Sequence, residues 1–153
     1  RDVERSRGLG DVYKRQHFSG LIIAGKMHSA GSDEPVVDRD AIISYSEAGA
    51  DILLLPSVGS IQGFLEKDLI EAVQIAKQYD LLTMSAIGTS QESARPETLR
   101  QLAIINKTCG VDLQHIGDAG YGGMAPTENI FETSVAIRGM RHTINRVGRS
   151  INR

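Results

Sequence analysis

Short apolar segments recur at a nearly constant interval along the chain. They begin near Leu21, Ile52, Leu81 and Val111, so that consecutive starts lie 31, 29 and 30 residues apart. Each segment ends in small residues, and a loop and a helix-like stretch follow it. This spacing is typical of βα units, in which a strand and a helix alternate. The sequence therefore predicts four βα units after residue 16.

The stretches between these segments carry signals of helix ends. Asp38 is placed to cap a helix that begins after it, and Gly49 lies where a C′ glycine belongs. Pro96 and Pro126 each suit a first helical position. A further helix is predicted by an apolar stripe at spacings of four, four and three, which consists of Leu65, Leu69, Val73 and Ala76.

Strands that are apolar on both faces and joined by helices predict a parallel sheet covered on both sides. Two α/β folds compete: a doubly wound open sheet, and a TIM-type (β/α)8 barrel of about 250 residues, of which four units would be half. The even unit length and the polar residues at each strand end favour the half-barrel, although an isolated half leaves two sheet edges unpaired. AGAD (48–51) and CGVD (109–112) occupy the same helix-to-strand turn and indicate an internal repeat.

Both ends of the chain differ from its centre. Residues 1–16 lack an initiator Met and any periodicity and resemble translated adapter sequence, so we predict a non-native tail there and a half-barrel over residues 17–153. A disordered basic arm is the alternative. The C-terminal run RGMRHTINRVGRSINR has five arginines and no acid, and a solvated terminal helix is the favoured interpretation.

The composition argues against nucleic-acid and membrane partners. The net charge is −2, which gives no general attraction to nucleic acid or anionic lipid. No apolar run approaches the roughly 20 residues of a membrane helix. The single cysteine, Cys109, cannot form an internal disulfide and is expected to pack in the core. We expect a cytoplasmic protein without nucleic-acid or membrane partners, and leave a homo-oligomer open.

Candidate site residues lie at the carboxyl ends of the strands, where both folds bind ligands. The first strand leads to Lys26 and His28, which can hold an anion or transfer protons, and Lys26 can also form a Schiff base. The second strand ends at Ser57, where a simple turn is the alternative. After the third strand come the candidate members of an anion-binding nest, which are Gly88, Thr89, Ser90 and Gln91.

The fourth strand runs into QHIGDAGYGG, a glycine-rich loop before a helix. Its bare amides and the helix dipole predict a phosphate site. Asp118 is unfavourable beside a phosphate unless it binds a metal or acts as a base, so Mg²⁺ is a candidate cofactor although no metal spacing is strong. The binding residues predicted here are His115, Gly117, Gly120, Gly122 and Gly123.

Five stretches also resemble a bacterial family of predicted (β/α)8-barrel proteins, often named phosphoenolpyruvate phosphonomutase-like or haloacid dehalogenase-like by automatic transfer. The stretches are GLIIAGKMH, AGADILLLPSVGS, SAIGTSQESA, CGVDLQHIGDAGYGGMAP and AIRGMRHTINR. The resemblance covers nearly all of residues 18–153 and implies the C-terminal half of a barrel, with the N-terminal strands missing. The chain shows neither the cysteine-bearing loop of the mutases nor the Asp nucleophile of the dehalogenases, so only the fold is carried over.

These observations favour an enzyme of the phosphate-binding TIM-barrel type with lyase, mutase or isomerase chemistry. Its partner would be a small anionic metabolite, phosphorylated or carboxylated. Lys26, His28 and Asp118 are the catalytic candidates. The alternative is a non-catalytic metabolite-binding or regulatory protein linked to sugar uptake, because some members of the resembling family lie beside genes for sugar phosphotransferase systems.

Overall fold

The computed structural model describes residues 14–25, 35–88, 91–117 and 125–150. In these ranges strands and helices alternate, as the thirty-residue interval predicts. The strands are β1 (Ile23–Ala24), β2 (Ile52–Pro56), β3 (Leu82–Ile87) and β4 (Leu113–Ile116). The helices are α1 (Arg39–Glu47), α2 (Glu66–Gln78), α3 (Pro96–Thr108), α4 (Thr127–Arg138) and α5 (Met140–Gly148).

The four strands form one parallel sheet in the order β1-β2-β3-β4. Each strand therefore pairs with the strand one βα unit further along the chain. The register places Leu54 beside Met84 and Met84 beside Leu113, so side chains from successive strands form rows across the sheet. This confirms the predicted α/β fold of parallel βα units.

The described helices cover one face of the sheet. Leu53 and Leu55 of β2 are buried on that face with Ile42 of α1 and Leu69 of α2. The opposite face, which we call the inner face, was expected to be covered too. It is instead partly open, because three apolar residues on it, Ile23, Leu82 and Leu113, are 47%, 48% and 39% exposed. In a barrel this face points toward the axis, where side chains from all the strands fill the interior.

The aspartate in each of the repeated turns, AGAD and CGVD, forms hydrogen bonds to the start of the neighbouring strand. The Asp51 carboxylate accepts a hydrogen bond from the amide of Ile22 at 2.8 Å. The Asp112 carboxylate accepts one from the amide of Thr83 at 2.9 Å and another from its hydroxyl at 2.8 Å. Each aspartate thus binds a residue 29 positions earlier, at the start of the neighbouring strand, which gives the sequence repeat a structural reason.

Most predicted helix ends are confirmed. The Asp38 side chain accepts hydrogen bonds from the amides of Asp40 and Ala41 and caps α1. Gly49 and Gly110 follow α1 and α3 with φ of +84° and +90°, a conformation that glycine adopts without steric cost. These local signals therefore set where the helices begin and end.

Two helix predictions are wrong in detail. Leu65 does not belong to the buried stripe of α2: it precedes the helix as its N-cap and is 53% exposed, whereas Leu69, Val73 and Ala76 are buried as expected. Pro126 is not the first residue of α4 but the residue before it, since the helix begins at Thr127. Both errors are displacements at a helix start, where the apolar period does not define the boundary.

Residues 14–17 form a helical turn whose Arg15 contacts the rest of the fold. The Arg15 guanidinium donates to the carbonyl oxygens of Gly49 at 2.8 Å and Gly20 at 3.2 Å and pairs with the Asp51 carboxylate. The hydrogen bond from the amide of Ile22 lowers the pKa of Asp51, and the hydrogen bond from Arg15 lowers it further. The proposed tail boundary at residue 16 stays a prediction.

Candidate active site at the carboxyl ends of β3 and β4

Two glycines lie side by side where β3 and β4 end. The amide of Gly117 donates to the carbonyl oxygen of Ile87 at 2.7 Å. A Cβ on Gly117 would lie 3.0 Å from that oxygen and 3.6 Å from the Cα of Gly88, so the two chains approach closely here. At Gly88 itself, no atom of the described residues lies within 4 Å of an added Cβ. The two predicted anion-binding loops therefore start next to each other.

His115 lies on the inner face just before this glycine pair. Its register partner on β3 is Ala86, and the partner of Ala86 on β2 is Pro56. The row therefore consists of two side chains without ionisable groups and an exposed imidazole. Among the described inner-face residues of the four strands, His115 is the titratable one. It can donate or accept a proton at the strand ends.

Ser57 has a structural position. It is fully buried, and its hydroxyl accepts a hydrogen bond from the Asn106 side-chain amide at 2.6 Å. The same amide donates to the carbonyl oxygen of Leu102, and the Asn106 side-chain oxygen accepts from the amide of Val58 at 3.3 Å. This network holds the loop after β2 against α3. The hydroxyl of Ser57 is thus engaged within the protein.

The loop after β3 is fastened to the start of α4. Gln91 begins a short 3-10 turn, Gln91–Ser93, and its amide donates to the carbonyl oxygen of Gly88 at 3.2 Å. The side-chain amide of Asn129 donates to the carbonyl oxygens of Glu92 and Ala94 at 2.9 and 2.8 Å. The segment after β3 and the helix after β4 are therefore one packed unit.

No sequence pattern predicted the burial of Glu92 and Asn129. Both are buried, at 4% exposure each, although they lie in polar stretches that predict a surface loop and a helix start. Their burial depends on α4 lying against the turn after β3, a contact between segments 37 residues apart. The periodicity and composition of a sequence do not predict contacts between segments so far apart in the chain.

The remaining predicted site residues lie outside the described ranges. In residues 14–25, 35–88, 91–117 and 125–150 no group of three or more His, Cys, Asp or Glu side chains is placed to hold a metal ion. Cys109 packs in the core, as expected, and burial raises the pKa of its thiol. The residues whose positions are not described are Lys26, His28, Thr89, Ser90, Asp118, Gly120, Gly122 and Gly123.

Residues 12–153 match the family described as a domain of unknown function, DUF7916. The chain belongs to this family. Among the curated proteins, none matches the chain. Within the described residues, no helix has the length and apolarity needed to cross a membrane.

A solved structure shows the same type of fold. A protein assigned as a deoxyribose-phosphate aldolase from Coccidioides immitis is 15% identical with a TM-score of 0.65, over 85% of this chain and 53% of that one. A 2,3-dimethylmalate lyase of the PEP mutase/isocitrate lyase superfamily is 14% identical with a TM-score of 0.46, over 93% of this chain and 49% of that one. The chain thus spans about half the length of these TIM-barrel-type relatives. The barrel-type fold implied by the sequence resemblance is confirmed.

Proposed function

We propose that this chain forms part of a metabolic enzyme of the phosphate-binding TIM-barrel type. Its substrate is a small phosphorylated or carboxylated metabolite, and its anionic group binds at the carboxyl ends of β3 and β4. The observation that carries this proposal is the pair of adjacent glycines at the ends of β3 and β4, Gly88 and Gly117, where no described atom lies within 4 Å of a Cβ added to Gly88. Glycines at this position let main-chain amides approach an anion without obstruction by side chains.

The start of α4 supports the same location for the anion. No side chain caps this helix at Pro126, and the first amides of a helix have no acceptor within the helix. The positive end of the helix dipole adds to their attraction for negative charge. Because Asn129 fastens this helix start to the turn after β3, both elements contribute to one binding region.

The chemistry would depend on groups around the anion. His115 supplies a proton donor or acceptor on the inner face, and Lys26, His28 and Asp118 remain the catalytic candidates of the sequence. A lysine that stabilises developing negative charge, together with a proton-transfer group, suits lyase, mutase or isomerase chemistry. If Lys26→Ala abolishes turnover and only weakens binding, the enzyme is supported. Binding without turnover of any substrate would favour the regulatory alternative.

A glycine substitution tests the anion site directly. Gly88→Ala places a methyl group in the open space, so it should preserve folding and weaken phosphate binding. Gly148→Ala is the matched control, because an added Cβ there also meets no described atom within 4 Å, at the far end of α5. The measurement is thermal unfolding in increasing inorganic phosphate, where a ligand at 100 times its Kd adds about 2.7 kcal/mol of stability.

Comparing the two variants tests whether phosphate binds at Gly88. We expect phosphate to stabilise the wild type and Gly148→Ala equally and Gly88→Ala much less. Equal stabilisation of all three proteins would place the anion elsewhere. No stabilisation by phosphate, or by carboxylates such as pyruvate, would refute the anion-binding function altogether.

A further inference from the structure

The inner face of the sheet is an apolar surface that the described residues leave partly uncovered. Ile23, Leu82 and Leu113 are half-exposed on it, and Leu21, two residues before Ile23 and therefore on the same face, is 68% exposed. In the described part of the chain, β1 and β4 each pair with one neighbouring strand, so each has an edge without a partner there. An unpaired strand edge is a template for pairing with another chain. The surface is therefore suited to association with further strands.

The strand pairs β1–β2 and β3–β4 repeat one arrangement. Ile23 lies beside Ile52 in the first pair, and Met84 lies beside Leu113 in the second. The aspartates of the AGAD and CGVD turns follow the same correspondence, because each accepts a hydrogen bond from the main-chain amide one residue before Ile23 or Met84. The chain thus contains one two-strand unit twice, in which β3 and β4 correspond to β1 and β2.

This repeat predicts which strand fits the open edge of β4. Within the chain, the first unit joins the second where β2 pairs with β3, and the register there places Ile52 beside Leu82. The counterpart of Ile52 in the second unit is Leu113, and the counterpart of Leu82 in the first unit is Leu21. The same junction, applied once more, places Leu113 of β4 beside Leu21 of a second β1. Both leucines are exposed on the inner face.

We propose that two copies of this chain join edge to edge and close an eight-stranded barrel, in which β4 of each copy pairs in parallel with β1 of the other. Four strands from each copy supply the eight that a TIM-type barrel needs. A two-fold axis along the barrel generates both junctions, so that no strand edge stays unpaired. A second copy is the favoured occupant because its β1 carries the residues that the repeat places beside β4.

The assembly also brings the candidate sites of both copies together. All eight strands are parallel, so their carboxyl ends, with Gly88 and Gly117 of each copy, meet at one mouth. From Leu113 the register of the junction continues to His115, which lies beside Ile23 of the second copy. Association therefore covers part of the exposed His115 imidazole and the half-exposed Ile23 in one contact.

The first test is the molar mass of the full chain, measured by light scattering after size-exclusion chromatography. We expect the mass of two chains. Leu82→Lys places a charge on the inner face and should weaken the dimer about tenfold or more. The matched control is Ile104→Lys, because Ile104 is 43% exposed on α3, away from the inner face, and Leu82 is 48% exposed. Both variants should keep the circular dichroism of the wild type, since both side chains are exposed in the single chain.

A disulfide trap tests the register of the junction. Leu113 and Leu21 of the other copy lie about 4.8 Å apart, the spacing of neighbouring strands, whereas β1 and β4 of one copy are separated by three such spacings. The double variant Leu113→Cys, Leu21→Cys can therefore bridge only two different copies. In the control, Leu113→Cys with Ile23→Cys, a shift of two residues increases the distance to about 8 Å, which is too long for a disulfide. Mild oxidation should give covalent dimers with the first pair and few with the control or the wild type, whose single cysteine is Cys109.

Several results would overturn this mode of assembly. A wild-type mass of one chain at every concentration measured would do so, and would leave the inner face to strands of another polypeptide. A dimer that Leu82→Lys leaves intact, or that both cysteine pairs cross-link equally, would show that the copies associate through a different surface. The wild-type mass needs no variant, so the proposal is tested even if a variant does not fold. Both measurements are made without phosphate and do not depend on the anion site.

Discussion

Replacing Asn106 by alanine should destabilise the protein strongly. Asn106 is fully buried on α3, and its side chain makes hydrogen bonds to Ser57, Leu102 and Val58. Alanine removes all three bonds. The amide of Val58 then loses its acceptor, the side-chain oxygen of Asn106. An unsatisfied buried donor costs about 1–3 kcal/mol.

The expected magnitude follows from these contacts. The unsatisfied amide and the two further lost bonds, at about 1 kcal/mol each, give a destabilisation of about 3 kcal/mol. This is a large part of the roughly 5–15 kcal/mol that stabilises a typical domain. The assay is urea denaturation followed by circular dichroism, in which a slope of about 2 kcal/mol per M converts the loss into a midpoint lower by about 1.5 M.

A substitution on the same helix provides the control. Gln101 is exposed on α3, so Gln101→Ala should change the free energy of unfolding by less than about 0.5 kcal/mol. If Asn106→Ala costs no more than Gln101→Ala, the buried network does not hold the loop after β2, and the argument that engages Ser57 in this network is refuted.

Two further predictions concern the strand ends and the turns. Because the amide of Ile22 and the guanidinium of Arg15 lower the pKa of Asp51, this carboxylate stabilises the fold fully above about pH 4 and loses its effect as the pH falls through its folded-state pKa. The difference in unfolding free energy between wild type and Asp51→Asn should thus shrink below pH 4, and a difference that is constant with pH would contradict this. Gly117→Ala places a Cβ 3.0 Å from the carbonyl oxygen of Ile87, so it should lower the Tm by several degrees, on the order of 1 kcal/mol; an unchanged Tm would show that β3 and β4 separate easily at their ends.

Local signals in the sequence determined the order of the elements. The thirty-residue interval predicted four βα units, and Asp38 and Gly49 marked helix ends where the structure has them. These signals act through contacts within one helix turn, such as the bond from Asp40 to Asp38. Such helix-end signals can be recognised in a single sequence because the interacting residues are neighbours in the chain.

The candidate site was only partly predictable. The sequence placed glycines at the carboxyl ends of the third and fourth strands, and Gly88 and Gly117 do lie together there. It also named His115, whose position on the inner face follows from the register with Ala86. It treated Ser57 as a ligand-binding candidate, whereas the structure buries this residue beneath α3.

Only the tertiary structure decided which polar groups are buried. Asn106 reaches Ser57 across 49 residues of sequence, and Asn129 reaches Glu92 across 37. Composition and period contain no information on such pairs, because the two partners belong to different βα units that meet only when the sheet and its helices are assembled. By itself the sequence predicts the βα units and their order. The packing of α3 against the loop after β2 and of α4 against the turn after β3 determines which polar side chains are buried.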